Sequence, residues 1–305
     1  MKVIEHTIDD GRHLASLYNE RFADGSDPHC HPVTEQEFAV GLTQTLRHDS
    51  PMSAVGVHAL RLLAVERAGK PVALSHIATE AVTTDGRDTR RGLIRLFAFA
   101  PGDRAAGQCL LEASEARLMS DPVEKIVLAP WSAGVRFMHS GREEPSTLQP
   151  HLLSLARLNR YAVERTQHIM TCERIGVDKP ALRDRSMNVD VEARESRGRR
   201  PNVVTRLMRD GTGIGSCELE SRGHFLQAEA AQTAVFVHDL EVHEAFQRSG
   251  HGRYLLRRAL WEARRVGFTN ASLCVLPDNH RAIMLYAAEG FSIAGTGHQL
   301  GKEVD

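Results

Sequence analysis

The sequence has almost no net charge. Its 38 Lys and Arg face 39 Asp and Glu, leaving −1 with histidine neutral. That excludes a global pull toward nucleic acid or an anionic membrane surface. It also lacks paired cysteines. Cys30, Cys109, Cys172, Cys217 and Cys274 are scattered, odd in number and free of any C-x-x-C spacing. A disulfide framework is therefore not expected, and a reducing, intracellular setting is. No apolar run is long enough to cross a bilayer, and the opening MKVIEHTIDDGRH holds no apolar signal core. A cytoplasmic protein without a membrane partner is expected. Two phosphate-loop signatures are missing as well. There is no G-x-x-x-x-G-K-[ST], and the turn Gly250-x-Gly252 is followed by Leu255 where a dinucleotide fingerprint needs a third glycine.

What is present is a chain of 305 residues, 42% apolar and 25% charged. Those proportions are ordinary for a soluble globular protein, and the length suits two domains better than one. The most informative stretch is Thr233–Leu256, TAVFVHDLEVHEAFQRSGHGRYLL. It opens with the strand-forming run Ala234–Val237 and alternates through His238, Leu240 and Val242. The turn Gln247-Arg248-Ser249-Gly250-His251-Gly252 follows, then a helix with Tyr254, Leu255, Leu256, Ala259 and Leu260 on one face. The first N–H groups of a helix have no partner inside it, and glycines let an anion approach them closely. Strand, glycine turn and helix start make a phosphate cradle.

The Q-x-x-G-x-G turn is followed downstream by Asn279-His-Arg-Ala282-Ile-Met-Leu-Tyr286-Ala-Ala-Glu-Gly290-Phe291. Together these segments resemble the GNAT superfamily of N-acetyltransferases over about residues 187–300. The resemblance implies acetyl-CoA as cosubstrate and no metal. It assigns the pantetheine arm to the strand backbone at Leu240, Glu241 and Val242. It assigns the pyrophosphate to Gln247, Arg248, Ser249, Gly250, His251, Gly252 and Arg253. A backbone N–H in the Leu240–Val242 segment would polarise the thioester carbonyl. Tyr286 would protonate the leaving thiolate, a phenol being an acid of suitable strength. Asn279 would hold the last helix start, the pantetheine or a water.

The general base is open among His238, Glu241 and Asp239, in that order. VHDLEVHEAF resembles arylalkylamine acetyltransferases, in which a histidine on this strand serves the amine, and histidine titrates near neutrality. Glu241 could act directly or through water. Strict alternation puts His238 on the face opposite Asp239 and Glu241, unless a bulge intervenes. Cys274 reads as an inert, buried thiol.

The first half reads as strand, helix over Asp10–Phe22, helix opened by the capping box Thr34-Glu-Gln-Glu37, hairpin Leu60–Val65/Val72–Ala78, and strand Leu93–Ala100. The turn Pro101–Gly107, helix Gln108–Met119, strand Lys125–Leu128, helix Leu148–Leu158 and one or two strands over Tyr161–Ile175 complete it. That is the order of the GNAT fold, so the first half resembles a second copy of the same domain. Gly107-Gln-Cys-Leu-Leu111 aligns with Gly252-Arg-Tyr-Leu-Leu256, which sets Ala105 against Gly250, Ala156 against Tyr286 and Gln149 against Asn279. The copy over 1–175 is therefore degenerate, and a scaffold is its expected role. An excess of residues around Trp131–Thr147 reads as a loop. His29-Cys30-His31 is read as a polar loop, with no fourth metal ligand nearby.

Gly176–Arg185 reads as part of a linker over 176–186, and 187–305 as the catalytic copy. In it Met187–Ala193 is a strand, and Val203–Met208 and Ser216–Glu220 form a hairpin about Asp210–Gly215. The two helices that follow the first strand in the first half are missing. After Phe291, Ser292–Gly295 supplies one strand and Gln299–Val304 a short, fraying second. The basic cluster Arg194–Arg200 reads as a solvated loop.

The expected class is thus α/β (an α+β mixed sheet) in two tandem GNAT-like domains. The expected activity is acetyl transfer to a primary amine of a small molecule, by a monomer or homodimer without a nucleic-acid partner. Acyl transfer to a protein N-terminus or involving charged tRNA, and a non-catalytic acyl-CoA sensor, are the alternatives.

Overall fold

A computed structural model describes residues 1–23, 30–44, 51–84, 87–130, 133–138, 147–182 and 184–304. Most of the Trp131–Thr147 loop and His29 of the His-Cys-His run lie outside the described residues. The chain divides into two compact units, Met1–Thr166 with Thr296–Asp305, and Gln167–Gly295.

The first unit begins with β1 (Lys2–His6), a 3-10 turn (Asp10–Leu14), α1 (Ala15–Phe22) and α2 (Glu35–Thr43). The capping box at α2 forms: Thr34 Oγ1 accepts from the Glu37 amide at 3.2 Å, and the Glu37 carboxylate accepts from the Thr34 amide at 2.8 Å. Such a cap stabilises a helix start by about 1 kcal/mol. Then come β2 (Val57–Arg67), β3 (Lys70–Thr84), β4 (Arg87–Phe99), α3 (Arg104–Leu118), β5 (Lys125–Leu128) and α4 (Pro150–Leu158). The β2–β3 turn places Ala68 and Gly69 at φ 51° and 73°, the paired left-handed geometry of a two-residue hairpin. Strands β1 to β4 are antiparallel and β5 is parallel to β4.

The second unit holds β7 (Met187–Arg194), β8 (Asn202–Arg209), β9 (Thr212–Ser221), a 3-10 turn (Arg222–His224) and α5 (Glu229–Gln232). It continues through β10 (Ala234–Val242), α6 (His251–Arg265), β11 (Asn270–Val275) and α7 (His280–Ala288). The β8–β9 turn is only Asp210-Gly211, at φ 48° and 78°, so the glycine string from Thr212 on belongs to β9 and not to the turn. Between β7 and β8 only residues 195–201 intervene, and no helix lies there. Helix α6 buries Leu255, Leu256, Ala259, Leu260 and Ala263 in one core with Val203, Leu207, Cys217, Leu219 and Tyr286. Each buried leucine contributes roughly 1.5–3 kcal/mol, so this face fixes the helix start against the end of β10.

Two strands run from one unit into the other. The end of β6 (Ala162–Cys172) pairs antiparallel with β11 in the second unit. The end of β12 (Ser292–Glu303) pairs antiparallel with β5 in the first, Leu300 opposite Leu128. The C-terminal residues therefore form one strand of 12 residues, where the sequence suggests a short strand and a fraying second. Likewise Tyr161–Ile175 contributes a single strand. The order β4–α3–β5–α4–β6 repeats as β10–α6–β11–α7–β12, which makes the fold a tandem one.

Candidate active site

The site grows from the way β10 parts from β11. The two strands run parallel and are paired only from Ala234↔Asn270 to Phe236↔Ser272. Beyond that, β10 continues to Val242, paired with β9 alone. Among the described residues, the β11-facing edge of 237–242 makes no ladder bonds. Buried backbone groups need partners, so such an open edge is suited to an extended ligand carrying amides.

At the end of this edge, residues 243–250 lead into α6. The loop is braced from within. Gln247 Nε2 donates to the Val242 carbonyl at 2.9 Å, and His251 Nδ1 contacts the Phe246 carbonyl at 2.8 Å. Arg248 has φ 61° and Gly250 φ 83°. Among the described residues, the backbone N–H groups of Arg248 to Arg253 find no acceptor, and the first helical bond is Tyr254 N to Gly250 O at 3.0 Å. A Cβ at Gly252 would meet Val242 and Leu285 at ordinary contact distances, 3.8 and 3.9 Å. Packing does not require this glycine, although glycine in a helix costs roughly 0.5–1 kcal/mol against alanine. Its use is to let something approach the helix start. Free amides, a bare helix N-terminus and the Arg248 guanidinium, which meets no carboxylate among the described residues, suit a diphosphate. The Arg253 side chain is engaged: its Nε donates to Glu289 at 2.5 Å, and Glu289 also faces Arg257. Asn279 caps α7, its side chain accepting from the Ala282 amide at 3.2 Å.

The register of β10 corrects the sequence reading at His238. Val237 pairs with Leu219 and Asp239 with Glu218, so His238 is an extra residue, a β-bulge. Asp239 and Glu241 stand opposite Glu218 and Ser216, on the polar face of the sheet. His238 turns to the same face, with Nδ1 3.8 Å from Glu220 Oε2. Strict alternation separates His238 from the two carboxylates, and the bulge brings all three together. Leu240 faces the other way, opposite the buried Cys217.

Tyr286 is buried, with its ring 5.9 Å from that of Phe291. Burial first, then the neighbouring Cys217 and the Asp239 carboxylate, push its phenol above the usual tyrosine range. Burial likewise pushes the Cys217 thiol up, with Asp239 and Glu218 adding to it. That thiol is no nucleophile. Cys274 is half-buried in β11 and is not in a disulfide.

The first unit carries the same bulge with different contents. Between His76↔Leu96 and Ile77↔Ile94 the extra residue is Arg95. Its guanidinium is buried and donates to the carbonyls of Leu42 at 2.6 Å, Ala133 at 2.7 Å and Gly134 at 3.0 Å. It also lies 3.1 Å from His76 Nδ1. Burial, then the Arg95 charge, holds His76 well below its ordinary range, so its ring is neutral and Nδ1 accepts. The wedge between β4 and β5, lined by Arg95, Phe97, Leu128 and Met138, leaves a cavity of about 30 Å³. That is one water's share of volume. The loop into α3 is only residues 100–103, against 243–250 in the second unit. Asp103 already fills the helix start, accepting from the Ala106 amide at 3.2 Å. Hydrogen bonding to Arg67, outweighing burial, keeps its carboxyl below the usual carboxylate range. A cavity of about 180 Å³ beside it, lined by Phe99, Arg104, His151 and Leu158, is below the roughly 300–1,000 Å³ of small-molecule sites.

Sequence reasoning did not find the Arg95 plug, the His238–Glu220 contact or the Arg253–Glu289 pair. Each depends on a partner distant in the chain. The cluster Arg194–Arg200 is largely engaged: Arg194 with Glu192 and Glu218, Arg199 with Glu229, and Arg200 with the Gln232 carbonyl.

Residues 165–291 match the acetyltransferase (GNAT) family model. No curated protein matches the chain by sequence. Among solved structures, the chain resembles the tandem GNAT protein from the clavulanic acid biosynthesis pathway at TM-score 0.69 and 14% identity, covering 99% of this chain and 98% of that one. It resembles a GCN5-related N-acetyltransferase from Sphaerobacter thermophilus at TM-score 0.58 and 14% identity, covering 99% and 95%. It also resembles a fungal glucosamine N-acetyltransferase region at TM-score 0.65 and 13% identity, covering 99% of this chain and 38% of that one. At these identities the likeness is one of fold. Residues 165–291 thus carry the match to the acetyltransferase (GNAT) family, and the chain as a whole has the fold of tandem GNAT proteins.

Proposed function

We propose that this chain moves an acetyl group from acetyl-CoA to a primary amine of a small molecule, with its one working cleft in the second unit. The observation that carries this reading is the parting of β10 from β11 beside the free amides of residues 248–253. The open edge at Leu240, Glu241 and Val242 would pair with the pantetheine arm. The amides from Arg248 to Arg253, with the Arg248 side chain, would hold the diphosphate, while Gln247 and His251 brace the loop.

Transfer by direct attack needs a neutral amine. His238 Nε2 takes the proton from the acceptor ammonium, with Glu241 as the second choice of base. The amine nitrogen then bonds to the acyl carbon while a backbone N–H of β10 stabilises the carbonyl oxygen. The carbon–sulfur bond breaks, its electron pair stays on sulfur, Tyr286 passes its proton to that sulfur, and the proton shed by the new amide nitrogen restores the phenol. Asn279 orders the start of α7 and so the placement of Tyr286.

Along the sequence the two copies run 1–175 and 187–305, joined by the linker 176–186. The first copy is a scaffold, because Asp103 and Arg95 occupy the places where a diphosphate and an acyl arm would lie. A cytoplasmic monomer or homodimer fits the neutral composition. Acyl transfer involving tRNA has little support, because Arg194 and Arg199 of the cluster it would use are in ion pairs.

The test is a thiol-release assay with acetyl-CoA and a panel of alkyl, arylalkyl, polyamine and amino-acid amines. A tRNA-binding titration at several salt concentrations accompanies it. Turnover on at least one amine, with no steeply salt-dependent tRNA binding, is expected. Binding of acetyl-CoA without turnover on any amine would make the protein a sensor instead.

A further inference from the structure

The bulge on β10 does more than place His238 on the polar face. Without the extra residue, His238 would stand opposite Glu218 and Asp239 would turn into the core beside Cys217. With it, Asp239 takes the place opposite Glu218, and the His238 ring leans toward Glu220, one step further along the face of β9. Glu220 Oε2 lies 3.8 Å from Nδ1, and the two side chains are 21% and 20% exposed. Both are sheltered enough for the interaction to escape most solvent screening. At 3.8 Å the carboxylate is an ion-pair neighbour of Nδ1, with Nε2 on the far side of the ring.

The first unit supplies an internal control. Its bulge residue is Arg95, and the β3 residue in the position of Glu220 is Ala78, two pairs from the bulge and opposite Leu93. In the second unit Glu220 is opposite Phe236 at the same step. The copy that has no histidine at the bulge also has no carboxylate opposite. Imidazole and carboxylate are absent together and present together.

We propose that Glu220 is a positioning residue for the transfer: its carboxylate orients the His238 ring through Nδ1 and strengthens Nε2 as the base that deprotonates the acceptor amine. This rests on the reading of His238 as the base. Other ionisable groups share this stretch of the β9–β10 pair and set its background: Glu218 on β9, and Asp239 and Glu241 on β10. Arg194 partly neutralises Glu218 at 3.2 Å.

The experiment is an NMR pH titration of the histidine rings in the full chain, with His238 assigned from the resonance lost in His238→Gln. It is repeated in Glu220→Gln and Glu220→Asp. A carboxylate beside an imidazole favours the imidazolium, so its removal should lower the His238 midpoint by about 0.5–1 pH unit. Glu220→Asp should restore part of the difference. The acid limb of kcat/KM, measured with acetyl-CoA and the best amine of the panel, should move down by the same amount. A His238 midpoint unchanged in a folded Glu220→Gln protein would overturn the proposal and leave His238 as base. A midpoint that moves while the acid limb stays, or an acid limb that survives in His238→Gln, would overturn both.

Discussion

Tyr286 belongs to the packed core of its unit, and the proposed mechanism makes its hydroxyl the donor to sulfur. Burial raises the phenol above its ordinary value near 10, so it stays protonated at every pH the enzyme meets. It is therefore a weaker acid than a free phenol, and in the proposed mechanism it would be a constant hydrogen-bond donor to the departing sulfur. The sign of the shift fixes the pH dependence. Loss of a proton from Tyr286 cannot produce an alkaline fall in rate below about pH 10. Tyr286→Phe should lower kcat by ~10²-fold and leave acetyl-CoA affinity within about twofold, read by thiol release and by calorimetry. An alkaline limb near pH 8, or an unchanged kcat in the variant, would remove Tyr286 from the chemistry. The identity of this residue was legible in the sequence, because N-x-x-A-x-x-x-Y is a local pattern on one helix. Its environment was not, because Cys217 and Asp239 reach it from other strands. Arg95 shows the same limit more sharply. It sits inside an apolar strand pattern, and only the carbonyls of Leu42, Ala133 and Gly134, far apart in the chain, explain how a buried guanidinium is tolerated there.

At the scale of elements, the cleft depends on how closely β9 and β10 approach. Gly215 lies opposite Val242, and a Cβ there would come within 2.6 Å of the Glu241 carbonyl and 3.1 Å of Leu255 Cδ1. The clash is with backbone, so β10 itself must move. Gly215→Val should cost about 1–3 kcal/mol of stability and weaken acetyl-CoA binding by roughly tenfold or more. Gly213→Ala, whose nearest neighbour would be Met208 Sδ at 3.8 Å, serves as the control with little effect. Calorimetric titration of both variants decides it, and wild-type affinity in Gly215→Val would show that the edge at 240–242 does not carry the ligand. The strand–turn–helix over 234–265 could be read from sequence because each signal in it is local: apolar run, glycine turn, amphipathic face. The bulge at His238 could not, since register belongs to the pair β9–β10 and not to β10 alone. The continuous β12 was hidden for a similar reason. Its Gly-rich sequence, SIAGTGHQLGKE, has weak strand propensity, and pairing with β5 overrides it.

At the scale of the whole chain, two copies of one fold have diverged in opposite directions at matching places. In one, a carboxylate caps the helix start and an arginine fills the bulge. In the other, the helix start is bare and a histidine stands at the bulge beside a glutamate. The proposed function accordingly expects one coenzyme per chain, with its diphosphate on the second copy. A crystal structure of the full chain with acetyl-CoA tests this most directly. The diphosphate should lie on the amides of residues 248–253, with the pantetheine along Leu240–Val242 and sulfur within reach of the Tyr286 hydroxyl. A coenzyme seated instead at the start of α3, beside Asp103, or a turn at 248–253 left bare at saturating ligand, would contradict it.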